Sequence, residues 1–221
     1  MKLHPLALGA AGLTAGWLYF HRQPARQVPP DPRSIVSPAD GRVIHIERCT
    51  NPELAFFKRD VLNVLTPFGI KPPYKVVVIE LTLTDVHVQR APVAGHVLAQ
   101  QYYPGRHDNA VYGADTVHLA NSNEKLLTVI GGGVATVGVV QVAGMLARRI
   151  IPYVATGAVL AKGDALGMIT FGSQVVLLLP DQAALHVEVG SRVVDGASVV
   201  ATMPAPYLPA AMPFASLHTY D

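Results

Sequence analysis

From residue 35 onward one pattern recurs: short apolar runs rich in β-branched residues, each closed by glycine, proline or Asx turn chemistry. The runs are Arg42–Glu47, Tyr74–Thr84, His96–Gln101, Lys125–Ile130, Val134–Val142, Ala165–Thr170, Val175–Leu179 and Leu185–Val189. They are too short and too β-branched for helices, and they predict strands. One stretch departs from this: in Ala143–Tyr153, Met145, Leu146 and Ile150 follow helical spacing and Pro152 marks a stop, which predicts a short helix. Gly131-Gly132-Gly133 lies between two strand-like runs with no Gly-Lys-Ser/Thr after it, so it reads as a hairpin turn rather than a phosphate cradle. Residues 23–34 contain four prolines and read as a linker, with the folded part starting near Ile35.

Upstream the pattern changes. No Asp, Glu, Lys or Arg stands between Lys2 and Arg22, and the apolar run Pro5–Phe20 ends in Trp17, Tyr19 and Phe20. As a helix it measures about 24 Å, short of a hydrocarbon core of roughly 30 Å, so a thin span and an embedded anchor are both open. The aromatic end followed by His21, Arg22 and Arg26 has the chemistry of an interfacial belt, which puts the rest of the chain on the cytoplasmic side of a cell membrane. A cleaved signal peptide is a competing reading, weakened by a positive region of Lys2 alone and by the lack of a small-residue cleavage site.

Composition sharpens this. In 221 residues, 50% are hydrophobic and 14% charged, with a mean hydropathy of +0.32, greasier than an ordinary soluble domain and incompatible with general disorder. The net charge of +2 is too small for a counterion-driven grip on nucleic acid. It is unevenly spread: residues 173–221 hold one basic and four acidic residues, which leaves 16 basic against 11 acidic before them, a face suited to anionic lipid. A single cysteine, Cys49, excludes an internal disulfide. The fold class is mainly β (α+β): a β-sandwich or barrel-sandwich-like core with few short helices, preceded by the N-terminal hydrophobic helix.

Candidate chemistry is sparse. Asp40 sits in the turn Ser37-Pro38-Ala39-Asp40-Gly41. In Asp85-Val86-His87-Val88-Gln89-Arg90, strict alternation puts Asp85, His87 and Gln89 on one face. Gly172-Ser173 stands between two apolar runs, where Gly allows close backbone approach, yet Ser173 lacks the Gly-x-Ser-x-Gly elbow of a serine hydrolase. His107 and His118 lack metal-ligand spacing, and no metal is expected. Three valine- and glycine-rich segments, 91–97, 159–164 and 189–196, are similar to the barrel-sandwich of biotinyl and lipoyl carriers; Lys162 is then the residue for modification, though its flanks differ from theirs. Composition and spacing leave the carrier, the hydrolase and a noncatalytic module open.

Taken together, Ser37–Val43, Asp85–Val97 and Phe171-Gly172-Ser173 with Leu177-Leu178-Leu179-Pro180 resemble the phosphatidylserine decarboxylase proenzymes, in particular their short bacterial and archaeal form. The likeness runs from about residue 17 to 202, through Tyr19–Arg26, Tyr103-Pro104-Gly105, Asn123-Glu124, Gln141–Gly144 and Ala147–Ile150. It implies a membrane-anchor segment, 1–26, before a decarboxylase domain, 27–221, that cuts itself between Gly172 and Ser173. The β chain is then 1–172 and the α chain 173–221, held in one fold. Ser173 supplies a covalent pyruvoyl cofactor, the electron sink that loss of carbon dioxide from an amino acid demands. Its ketone condenses with the serine amine of phosphatidylserine in the membrane, and phosphatidylethanolamine leaves.

By the same resemblance, Ser173 is the nucleophile, Gly172 gives the attacked carbonyl, Asp40 is the acidic residue that orients or supports a base, and His87 transfers protons. Longer members carry a second His three positions after the first; this chain has Arg90 there, and Arg is no base near neutral pH. Either His87 serves both steps or Asp40 acts with water. Arg90, His96 and Arg148 are expected substrate contacts, with Arg106, His107, Asn109 and Arg149 as further candidates. A homo-oligomer is left open.

Overall fold

The computed structural model describes residues 14–58, 61–105, 123–144, 149–170 and 174–205. Residues 14–20 form a helix, α1, and the rest is strand and turn. The strands are β1 (Ser34–Val36), β2 (Gly41–Cys49), β3 (Leu54–Lys58), β4 (Val61–Leu65), β5 (Tyr74–Glu80), β6 (Val88–Arg90), β7 (Gly95–Tyr103) and β8 (Lys125–Gly131). They continue as β9 (Val137–Val142), β10 (Arg149–Pro152), β11 (Val159–Leu160), β12 (Ala165–Thr170), β13 (Gln174–Pro180), β14 (Ala184–Leu185), β15 (Arg192–Val193) and β16 (Val199–Thr202). The fold is mainly β.

Eight strands make the central sheet in the order β11-β7-β8-β9-β13-β5-β2-β15, and each of its pairings is antiparallel. β8, β9 and nearly all of β13 are buried without alternation, because both faces of the sheet are covered. On one face Val140, Val176 and Leu178 pack with Leu54, Phe56 and Leu65 of the β3–β4 hairpin. On the other, Val139, Val175, Leu177 and Ile79 pack against Ile35, Leu166, Ile169 and Val200, which come from two small sheets, β1-β16-β14 and β10-β12-β6. Each such side chain contributes about 1.5–3 kcal/mol of apolar burial. A third, smaller cluster joins Phe20 at the end of α1 to Val86, Val88 and Met168.

The strand expectations hold, with β12 at its expected bounds and Gly131–Gly133 in the β8–β9 turn. Several boundaries differ, and β9 opens at Val137 rather than Val134. The helix expected over Ala143–Tyr153 is not there in its described part: Arg149–Pro152 is β10, paired with Thr170–Gly167 of β12, so a tertiary partner overrides the local spacing. Residues 145–148 lie outside the described residues. β5 ends at Glu80 rather than Thr84, because Asp85 closes a turn on Thr82. The run Leu185–Val189 is strand at Leu185 alone, and the chain then turns at Glu188–Ser191.

Candidate active site

The turn Thr82–Asp85 and strand β6 place His87. The Asp85 carboxylate folds back on its own turn, accepting from the Thr82 amide at 2.7 Å and the Thr82 hydroxyl at 2.8 Å, and the Arg192 guanidinium pairs with its other oxygen. That holds the Asp85 carbonyl toward the His87 ring, whose Nδ1 donates to it at 2.9 Å. A carbonyl only accepts, so the proton is on Nδ1 and Nε2 carries a lone pair. Nε2 is buried and has no hydrogen-bond partner among the described residues. His87 itself is 0% exposed, and burial drives its pKa below the ordinary histidine value, against the opposing pull of the Asp85 carbonyl. Its backbone carbonyl accepts from Ile169 of β12 at 3.1 Å and from Gln89 Nε2 at 2.9 Å; Gln141 Nε2 then donates to Gln89 Oε1 at 2.7 Å. Phe20 covers the ring, with centroids 4.1 Å apart.

Asp40 lies beside this histidine with both oxygens engaged. Oδ1 accepts from Arg26 at 3.0 Å and from the Asp195 amide at 2.9 Å; Oδ2 accepts from Arg26 at 3.1 Å and the Val86 amide at 3.3 Å. Asp195 is the functional-looking residue that sequence reasoning missed. Fully buried, it pairs with the Arg26 guanidinium and with Arg90 Nε at 2.9 Å. Burial and the nearby Asp40 push its carboxyl upward, and Arg26 and Arg90 pull the other way. A signal existed: Asp195-Gly196 repeats the Asp40-Gly41 dipeptide, and both glycines have positive φ, +65° and +151°.

The structure gathers Asp40, His87 and Arg90 in one region but gives them different surroundings. Arg90 donates to Asp195, to the Gly163 carbonyl at 2.9 Å and to the Pro24 carbonyl at 3.0 Å, so its guanidinium is committed within the fold. His96 is elsewhere. It pairs with Gly131, whereas Lys125, at the other end of β8, pairs with Val142, which in turn pairs with Gln174; the register puts His96 at the far end of the sheet from Gln174. Gly172, Ser173, Arg106, His107, Asn109 and Arg148 lie outside the described residues. The strand that leads to Ser173 is described: Ile169 bonds His87, and Thr170 faces the exposed Arg149. Lys162, the carrier candidate, donates to the Asp31 carbonyl at 2.6 Å and the Ser34 hydroxyl at 2.7 Å, a tether unlike a free modification tip.

A buried imidazole with a lowered pKa and one nitrogen unpartnered among the described residues, under an aromatic ring and beside a fully coordinated carboxylate, is equipment for acid–base chemistry, here on an antiparallel β scaffold. The family model for phosphatidylserine decarboxylase matches residues 13–201. Relatives named phosphatidylserine decarboxylase proenzyme agree. The one from Symbiobacterium thermophilum is 36% identical over 200 residues, covering 90% of this chain and 85% of that protein. Those from Mycobacterium avium (40% identical, 91% and 77% covered) and Ralstonia nicotianae (37% identical, 88% and 86% covered) are similar. The chain belongs to the phosphatidylserine decarboxylase family.

Proposed function

We propose that this protein is a self-maturing enzyme that converts phosphatidylserine to phosphatidylethanolamine at the cytoplasmic face of a membrane. The observation that carries the reading is His87, whose Nε2 is buried with no partner among the described residues and whose backbone carbonyl is bonded to Ile169 of the strand that precedes Gly172-Ser173. In maturation the Ser173 hydroxyl loses its proton to that nitrogen and attacks the Gly172 carbonyl, turning the amide into an ester. Loss of the Ser173 α-proton expels the Gly172 carboxylate. Hydrolysis of the resulting enamine releases ammonia and leaves a pyruvoyl group at the head of 173–221. Asp40 is a weaker candidate for the base, because four donor contacts occupy its two oxygens; it holds the Val86 amide, and through it the ring's position.

The residues present fit such a group, since a buried ring nitrogen without a partner is the kind of atom that serves a reacting neighbour. The pyruvoyl ketone supplies the electron sink for decarboxylation. His87 then holds and returns the proton that the product's α-carbon needs. Arg149, exposed opposite Thr170, is placed to meet the headgroup's carboxylate or phosphate.

Intact-mass analysis tests this. Purified wild type should appear as two species, 1–172 and 173–221, the smaller lacking a free amino group; Ser173→Ala should stay whole. His87→Gln should slow scission at least about a hundredfold, the usual weight of a general base. A wild-type chain that stays intact with an unaltered serine overturns the reading.

A further inference from the structure

Helix α1 presents an unusual surface for a helix that is docked at one end. Phe20 is buried on His87, yet Trp17, Leu18 and Tyr19 just before it are each more than half exposed. A second segment meets them. The Tyr19 hydroxyl donates to the Thr84 carbonyl at 3.3 Å, and the Arg22 guanidinium donates to the same carbonyl at 2.5 Å while lying over the Tyr19 ring at 3.9 Å. Leu83, next to Thr84 at the tip of the 82–85 turn, is 61% exposed. Two pieces of chain more than sixty residues apart thus meet at Thr84, which gathers exposed Trp, Leu, Tyr and Leu side chains and a guanidinium in one neighbourhood.

The composition of the patch selects its partner. Trp and Tyr combine an apolar body with a polar tip, and Arg adds a charge that phosphate attracts, the chemistry of a bilayer interface rather than of a protein groove. The run before the patch, Pro5–Leu13, is uncharged and apolar, so the same surface continues in sequence toward a hydrocarbon phase. Beneath it the site is shut: His87 has no exposed surface, and Phe20 is the ring that covers it. While Phe20 stays in place, that face of the His87 ring is closed to a headgroup.

We infer that α1 and the Leu83 turn form one phospholipid-docking surface, and that docking withdraws Phe20 from His87 to admit the headgroup. The inference rests on the decarboxylase reading for what enters the site, but not for the docking itself. Binding energy between bilayer and patch replaces the contacts of Phe20 with Val86, Val88 and Met168, so the closed form is favoured in water and the open form on a surface. The hinge is the segment 21–25, between the end of α1 and Arg26, which the Asp40–Asp195 pair fixes to the core.

Trp17 is the sole tryptophan, which makes the test direct. With vesicles of phosphatidylglycerol and phosphatidylcholine, its emission should shift to the blue and be quenched by lipids brominated near the headgroup. Leu83→Ser should weaken vesicle partitioning about tenfold, the weight of one leucine withdrawn from an apolar phase, with an unchanged melting temperature. Phe20→Ala should raise turnover of a short-chain phosphatidylserine kept below its micelle concentration several-fold, and reduce the stimulation that vesicles give. Ser173→Ala should bind vesicles as wild type does, so a failure of the maturation reading leaves docking readable. Unchanged Trp17 emission on vesicles that support turnover, or no gain in monomer turnover for a folded Phe20→Ala, overturns the proposal.

Discussion

His87 is an imidazole whose two nitrogens are kept apart by their surroundings: Nδ1 is bound to a backbone carbonyl and Nε2 is left bare. Burial lowers its pKa below the ordinary histidine value of 6.5, so between its folded value and 6.5 the unfolded chain binds a proton that the folded chain does not. This part of the stability is therefore present above 6.5 and lost as pH falls below it. Urea titrations of wild type and His87→Gln should diverge between about pH 7 and pH 5, wild type losing more, while the other histidines cancel in the comparison. Asp195 carries a different expectation. Removing a buried carboxylate that neutralises two guanidinium groups leaves uncompensated charge, and Asp195→Asn should cost about 3 kcal/mol in chemical denaturation. The sequence motifs singled out His87 and Asp40, which the structure brings together; Asp195 drew no role, because its Asp-Gly repeat reads as an ordinary turn. Only three-dimensional proximity shows that Arg90 pairs with that acid instead of facing solvent.

At the scale of elements, legibility follows how much of the folding signal is local. β12, β8 and β13 declare themselves as valine- and leucine-rich runs between glycines and prolines, and their bounds agree with the reading to within a residue. β10 fails because its helical spacing is real but weak, and four backbone partners in β12 outweigh it. The residues read as a loose linker are likewise organised from a distance: Arg26 is tied to Asp40 and Asp195, and the Pro24 carbonyl accepts from Arg90. Close approach of strands imposes its own demand at Gly41, where a Cβ would stand 2.3 Å from the Glu80 carbonyl oxygen and the φ is positive. Gly41→Ala should destabilise by at least about 2 kcal/mol, read as a lower urea midpoint with an unchanged slope. Because Gly41 follows Asp40 directly, the same variant should slow scission under the proposed mechanism.

Over the whole molecule, the order of strands decides what a cut after residue 172 does. β13, the first element beyond that point, lies between β9 and β5, bonded along both edges and buried on both faces. β15 pairs with β2 and β16 with β1, so every described strand after residue 173 except β14, which pairs with β16, has a partner in the preceding part. Under the proposed scission, the two fragments should therefore co-elute in native size-exclusion chromatography and separate only in strong denaturant. Late elution of the smaller one as a free species contradicts that expectation.

The place of β13 has one more consequence. A segment flanked on both sides by another polypeptide cannot slide in afterwards without parting two finished neighbours. Making the fragments separately and mixing them should yield aggregate, not enzyme. If the chain cuts itself as proposed, assembly has to come first, and the short fragment in a cell extract would report molecules that have already reached their native arrangement.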